Sequence, residues 1–399
     1  MTLQLFFGTI EALYFFCIPS TIYSMALAAP HALPFIEVAL KRPTINDVAR
    51  QAGCSLSTVS LVINKSGHVS EETRKRVQKV VRDLGYHPTR SARGLASKTS
   101  GNIGFILRED HFSQAEPFYT KIFLGSEFAA RDHHYYILLT TVGNRFDEAT
   151  DIPRFLLEGN VDGLIIAGKV SLRLVDKLEK FGVPIMLVDF QVKSNRFSSV
   201  VIDNRGGARA AVTHLLDHGH KDIAFLGGDI EHPSLAERFE GYQETLRDHG
   251  MEMQQEFVEV GERDTRIANG EQAMRRLLAH VKHPTAVFAA NDAMAIGCMR
   301  EIRDSGLRIP EDIAVVGFDD IEMSALVEPR LTTVRVFKEE LGRLALERLV
   351  GIMNSTSPKI LTTLVPVELV ERESTLGKES TSTTTAPVSG EGETVEEPV

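Results

Sequence analysis

The sequence predicts an α/β protein: an N-terminal three-helix helix-turn-helix headpiece and hinge, then two doubly wound α/β lobes. Three observations predict it. A basic stretch near the start carries three capped amphipathic segments. Apolar, β-branched runs then alternate with helical stretches over roughly 270 residues, the spacing of βαβ units. Polar residues collect at the carboxyl ends of those runs.

Composition narrows the class. The 43% hydrophobic and 25% charged content is that of a globular protein, and 399 residues suffice for two or three domains. The three cysteines, Cys17, Cys54 and Cys298, lie far apart with no CxxC or Cys/His spacing. That argues against a disulfide framework or zinc site and for a reducing compartment, so no metal or cofactor and a cytoplasmic location are expected. The net charge of −10 conceals an asymmetry. Between Lys41 and Ser100 stand twelve Lys/Arg and four acids, making that segment +8 and the remainder −18. A basic module on an acidic body is the footprint of a polyanion, most often nucleic acid.

Residues 1–40 are apolar and aromatic with no Lys or Arg, so the positive region that opens a secretory signal is missing. Glu11 and Pro19 interrupt any membrane-length run, while the ALAAP patch from Ala26 is small enough to imitate a cleavage site and leaves export open. The expectation is a poorly ordered extension, with Met25 an alternative start.

Residues 41–88 form the headpiece. Thr44 and Asp47 make a capping-box-like helix start, and Ile45, Val48 and Ala49 form one apolar face. Gly53 ends that helix and Ser55 caps the next, in which Val59 and Val62 face inward while Leu56, Ser57, Thr58 and Leu61 face out. A third helix starts at Ser70, with Glu71 and Glu72 at its positive end, and buries Val77, Val80, Val81 and Leu84 up to Gly85. Helix, glycine turn and helix in this order make a helix-turn-helix, whose second helix enters the major groove. From residues alone, the segment 89–100 (TRSARGLAS from Thr89) is either a marginal helix weakened by Gly94 or a plain basic linker.

The run TINDVARQAGCSLSTVSLVIN from Thr44, with VSEETRKRV and LGYHP after it, resembles the DNA-binding headpiece of the LacI/GalR family of bacterial transcription regulators. By position, the resemblance implies base reading by Leu56, Ser57 and Leu61. It implies phosphate contacts from Ser55, Thr58, Ser60, Asn64, His68, Ser70 and Thr73. The family often has Arg at position 61, which grips guanine; leucine offers only apolar contact, for instance to a thymine methyl. The resemblance also implies a hinge helix at Thr89, Ala92 and Leu95, with Leu95 wedging into the minor groove.

From Asn102 the strand candidates are IGFIL, YYILLT, GLIIAG, PIMLVD, SVVID, IAFLG, AVFAAN and IAVVGF. Helices are expected over 118–131, 205–218, 237–249, 270–280 and 293–304. Asp189, Asp203-Asn204, Asn291-Asp292 and Asp319-Asp320 close strands, where such residues either cap the next helix or line a ligand cleft. The landmarks EPFY, SLAERFEGY, ANDAMAIG, GFDD and PRLTTVR resemble the periplasmic-binding-protein-like core of the same family. That implies an effector-binding and dimerisation core over 101–376, with crossovers near Ile202, Arg335 and Val365. Lobe 1 then spans about 101–202 and 336–364, and lobe 2 about 203–335 and 365–376. It places Asp189, Ser234, Arg238, Asn291 and Asp319 on a sugar or sugar-phosphate effector, with Phe118 or Phe190 stacking on its apolar face. Val336-Phe337 stand where the family usually has Gln-Pro. Residues 377–399, rich in Ser, Thr, Glu and Gly, are expected to be a disordered acidic tail.

The expected function is a dimeric repressor, with an activator as the alternative sign, that binds a palindromic operator in double-stranded DNA and is switched by a small-molecule effector. Two rivals are an exported sugar-binding protein, which has no use for a headpiece, and a sugar-modifying enzyme. The body carries no Walker loop, HExxH or GxSxG, so no catalytic residue is expected.

Overall fold

The computed structural model describes residues 43–63, 66–86, 99–109, 118–143, 152–192, 196–262 and 264–376. The extension 1–40, the hinge residues Thr89, Ala92 and Leu95, Asn64 and the tail from 377 lie outside the described residues. The chain divides into two compact units, Met1–Thr89 and Arg90–Val399.

In the first unit, helices α1 (Ile45–Ala52), α2 (Leu56–Ile63) and α3 (Glu71–Asp83) share one small core. Thr44 and Asp47 form the full capping box, and Gly53 closes α1 in the left-handed region at φ 62°. Val48, Ala52, Val59, Val62, Val77, Val80 and Tyr86 fill the centre. Arg76 Nε donates to the Ala52 carbonyl (3.0 Å), tying α3 to the negative end of α1. Ser70 Oγ accepts from Thr73 N at 3.3 Å. Ser70→Ala should lower headpiece stability by about 1 kcal/mol, measured by thermal unfolding, because it orphans that N–H.

The second unit holds two six-stranded sheets. The first, β1 (Asn102–Arg108), β2 (Tyr136–Val142), β3 (Gly163–Ala167), β4 (Ile185–Val188), β5 (Ser198–Ile202) and β11 (Thr362–Val365), is parallel throughout in the order β11-β5-β4-β3-β1-β2. The second has the order β12-β10-β9-β8-β6-β7, from β6 (Ile223–Gly228), β7 (Val258–Glu262), β8 (Ala286–Ala289), β9 (Ala314–Asp319), β10 (Thr332–Arg335) and β12 (Glu368–Val370). Only β12 is antiparallel to its neighbour there. All eight apolar runs form strands. The central ones are buried on both faces, as parallel sheets covered by helices require. The order reverses at β1/β3 in one sheet and β6/β8 in the other, which marks a ligand crevice at those carboxyl ends.

The chain passes between sheets three times: from β5 into α7 (Asn204–Asp217), from β10 through Val336 and Phe337 into α11 (Lys338–Met353), and from β11 to β12. Helix α11 packs beside α4 (Phe118–Asp132) on the first sheet. The approach is close. A Cβ on Gly125 would overlap the Glu339 carbonyl oxygen, and one on Gly342 would overlap that of Ile122. The second lobe repeats the device: Gly270 in α9 (Ile267–Leu278) meets the Met294 carbonyl, and Gly297 in α10 (Asp292–Asp304) meets that of Ile267. Two shorter helices, α5 (Arg154–Leu157) and α6 (Leu172–Glu179), connect strands of the first lobe.

Two helix starts differ from expectation: α9 begins at Ile267 instead of 270, and the helix carrying Arg238 begins earlier than 237. Helix α8 runs Pro233–Asp248, so Arg238 lies inside it rather than at its start. Pro233 at the first helical position explains the shift, since its fixed φ suits a helix start and its missing N–H would have no partner there.

Candidate DNA-reading helix and ligand cleft

Helix α2 buries Val59 and Val62 and leaves Leu56 46% and Leu61 36% exposed, with Ser57 exposed beside them. One short helix thus presents a small, mixed apolar and hydroxyl surface. Leu61 leans on the turn at Gly67, where a Cβ would come within 2.9 Å of its Cδ2. Ser55 is first of all a cap: its Oγ accepts from Thr58 N at 3.1 Å and lies 2.7–2.8 Å from the Ser57 and Thr58 hydroxyls. Ser70 and Thr73 are paired in the same way at the start of α3. Both helix starts are therefore held with their positive ends intact, the feature that suits a phosphate. His68 is exposed between them, and Ser60 and Thr73 are half-buried.

In the second unit, the strand ends converge on a buried polar network. Asp189, just past β4 at φ 62°, receives the Tyr119 hydroxyl at 2.8 Å and the Ser234 hydroxyl at 2.9 Å. Tyr119 and Asp189 belong to the first lobe and Ser234 to the second, so this carboxylate bridges the lobes. Burial pushes the Asp189 carboxyl up despite these hydrogen bonds and pushes the Tyr119 phenol well above its ordinary range. Lys169 Nζ to the Glu231 carbonyl (2.7 Å) and Lys121 to Glu322 (3.6 Å) are further bridges between lobes.

Arg238 is 4% exposed and spends three N–H groups on protein. Nε donates to Asn204 Oδ1 (2.9 Å), Nη1 to the Ala290 carbonyl (2.6 Å) and Nη2 to Asp319 Oδ1 (3.1 Å). Its guanidinium carbon stands 3.7 Å from the centre of the Phe318 ring. Two of five guanidinium N–H groups remain for a ligand. Asp319 sits at φ 108°, and burial raises its carboxyl although Arg238 and Lys338 oppose this. Lys338 Nζ donates to the Asp319 carbonyl and lies 5.7 Å from the Phe118 ring.

Phe118, Asp189, Ser234, Arg238 and Asp319 are thus brought into one neighbourhood. Two other candidates play different parts. Asn291 caps α10 through Met294 N (2.9 Å) and donates to the Thr265 carbonyl, which holds its amide in place with one N–H still uncommitted by these bonds. Phe190 packs into the apolar core of the first lobe with Leu187 and Val192, at 3% exposure. Sequence reasoning missed Tyr119 and Lys338, which reach the cleft only through the fold, whereas Asn204 is one of the strand-end residues the sequence shows. Asp292, also at a strand end, turns inward: its carboxylate accepts from Ile321 N, Ser324 Oγ and Thr333 Oγ1 and is pushed by burial to about 7. Among the described residues no group of three His, Cys, Asp or Glu side chains could hold a metal ion, and no helix is long and apolar enough to cross a membrane.

The chain matches two family models: bacterial regulatory proteins, lacI family, over residues 44–89, and a periplasmic binding protein-like domain over 212–375. Catabolite control protein A of Priestia megaterium is 34% identical over 83% of this chain and 99% of its own length. The HTH-type transcriptional regulator CelR of Thermobifida fusca is 36% identical over 84% of this chain and 98% of its own. Among solved structures, a Lac repressor dimer bound to operator and the anti-inducer ONPF aligns with TM-score 0.73 at 33% identity, and a CelR–cellobiose complex with TM-score 0.64 at 33% identity. Each covers 84% of this chain and 100% of the solved one. The chain belongs to the LacI family: it is a DNA-binding transcription regulator switched by a small-molecule effector, and not an enzyme.

Proposed function

We propose that this protein is a cytoplasmic repressor that reads a palindromic operator as a dimer through Leu56, Ser57 and Leu61, and binds a sugar or sugar derivative between its two lobes. The observation that carries the reading is the outward face of α2, exposed at Leu56, Ser57 and Leu61 over a core of Val59 and Val62. Such a helix reads only a few base pairs, and two-fold symmetry doubles the site at fixed spacing. The Lac repressor structure named above is a dimer on its operator, which supports the same assembly here. Thr89, Ala92 and Leu95 are assigned to the minor groove by position in the family. On the effector side, carboxylates and hydroxyls around Asp189, Ser234 and Asp319 suit a polyol, Arg238 suits an acceptor oxygen, and Phe118 suits an apolar ring face. The cellobiose complex of CelR supports a sugar class.

Selection of bound sites from random DNA, followed by gel shift, tests this. Wild type should select a palindrome, with log affinity falling steeply against log salt. Leu61→Arg should shift one base of each half-site toward guanine, with discrimination of about 1–3 kcal/mol. Failure to select any site, or an unchanged base preference in Leu61→Arg, would remove α2 as the reader. Thermal shift of the full chain against a panel of neutral sugars tests the cleft, with the shift expected to vanish in Arg238→Ala.

A further inference from the structure

His232 is the residue immediately before α8 and makes no side-chain cap bond to it. Its Nδ1 is buried and has no hydrogen-bond partner among the described residues. A buried polar atom in that condition costs about 1–3 kcal/mol, so its persistence at a strand end calls for an explanation. Four charged groups act on the ring. Arg108 stands at the end of β1, Lys169 just past β3, Asp229 just past β6, and Arg238 further along α8. Three are cations, from both lobes.

Their charges are unequally compensated. Arg238 is paired with Asp319. Asp229 accepts from the backbone N–H of Glu231 at 2.9 Å. Lys169 donates to the Glu231 carbonyl at 2.7 Å and forms no ion pair among the described residues. Burial first, and then Arg238, Lys169 and Arg108, push the imidazole down to about 4, so it is neutral near pH 7. Topology adds a separate pointer. Arg108 and Lys169 sit at the ends of β1 and β3, and His232 follows β6, which are the points of strand reversal in the two sheets. The Lys169–Glu231 hydrogen bond places these ends against one another.

We propose that the effector carries an anionic group, phosphate or carboxylate, received at this end of the cleft by His232 and Lys169. The inference rests on the cleft being the effector site and narrows what enters it. An arriving anion supplies His232 with its missing partner and Lys169 with its missing counter-charge. It also makes the imidazolium favourable, so binding draws one proton from solvent onto His232. Affinity then rises as pH falls below the value the ring takes in the complex, and levels off below its value in the free protein.

Sulfate is the probe, because it carries a double negative charge across pH 5.5–8 and does not itself titrate there. Histidine side-chain NMR of the full chain, with the His232 signal identified by its loss in His232→Gln, follows a sulfate titration against chloride at equal ionic strength. The expected result is a saturable movement of that signal, tighter at pH 5.5 than at pH 8, and weakened about tenfold in Lys169→Met, the worth of one charge-assisted hydrogen bond. A His232 signal that does not respond to sulfate, or responds equally in Lys169→Met, overturns the proposal. The neutral-sugar panel separates the two readings. Neutral sugars that bind while His232 ignores sulfate leave the cleft standing without its anionic end. Sulfate captured by His232 with neutral sugars excluded supports an anionic effector and discards the neutral ones.

Discussion

Arg238→Ala is expected to destabilise the core by about 3–5 kcal/mol, because it leaves a buried carboxylate without its cation. Arg238 is 4% exposed, and Asp319 receives its guanidinium at 3.1 Å. The same substitution orphans the Asn204 amide oxygen and the Ala290 carbonyl and uncovers the Phe318 ring. Arg238→Lys should recover only part of the loss, since one ammonium cannot meet three acceptors held in a fixed fork. Denaturant unfolding measures both. The pH dependence has a definite sign. Burial already raises the Asp319 carboxyl, and removing Arg238 takes away the leading influence that opposes the rise. The deficit should therefore be largest at neutral and alkaline pH and shrink as acid protonates Asp319. A deficit that stays constant from pH 8 to pH 5 would assign the loss to packing and not to charge.

Gly342→Leu is expected to cost at least about 3 kcal/mol, the upper end of what overpacking a core does. The new side chain would have to enter the space of the Ile122 carbonyl, a backbone atom held within α4. It cannot rotate away, so α4 and α11 must separate and expose the apolar layer between them. Gly351→Ala, further along α11, is the contrast. It is exposed with nothing near its Cβ, and should stabilise by up to about 1 kcal/mol through helix propensity. Thermal unfolding and soluble yield of the two variants check the pair. Similar losses in both would contradict the close crossing.

The headpiece was legible almost residue by residue, because caps and apolar spacing are local. Thr44, Asp47, Gly53 and Ser70 each announce a helix end through their own chemistry. The central strands were legible as apolar runs for the same reason that they are central. Strands β7, β10, β11 and β12 were not among the expected ones: three are sheet edges and β10 lies beside one, and TTVR, TTLV and ELV are short and half polar. The cleft was legible only in part. Asp189 and Asp319 stand at strand ends, which sequence shows. Tyr119 meets Asp189 across 70 residues, and Lys338 reaches the Asp319 carbonyl only after the chain has changed sheets. Phe190 and Asn291 carry the right chemistry at strand ends, but one is taken into a core and the other into a helix cap. Sequence position could not tell those outcomes from ligand contact.

The three passages of chain between the sheets, at residue 203, at 336–337 and at 366–367, carry a consequence for how this molecule can be cut and how it can bend. Neither lobe is one continuous piece of the gene product, so no single truncation releases either of them whole. Each must wait for segments made much later before its sheet is complete. Mechanically, three ribbons side by side form a flexure: a single ribbon would allow swivelling, while three resist twist and sliding and leave bending as the soft direction. A molecule wedged between the lobes can thus change little besides one angle.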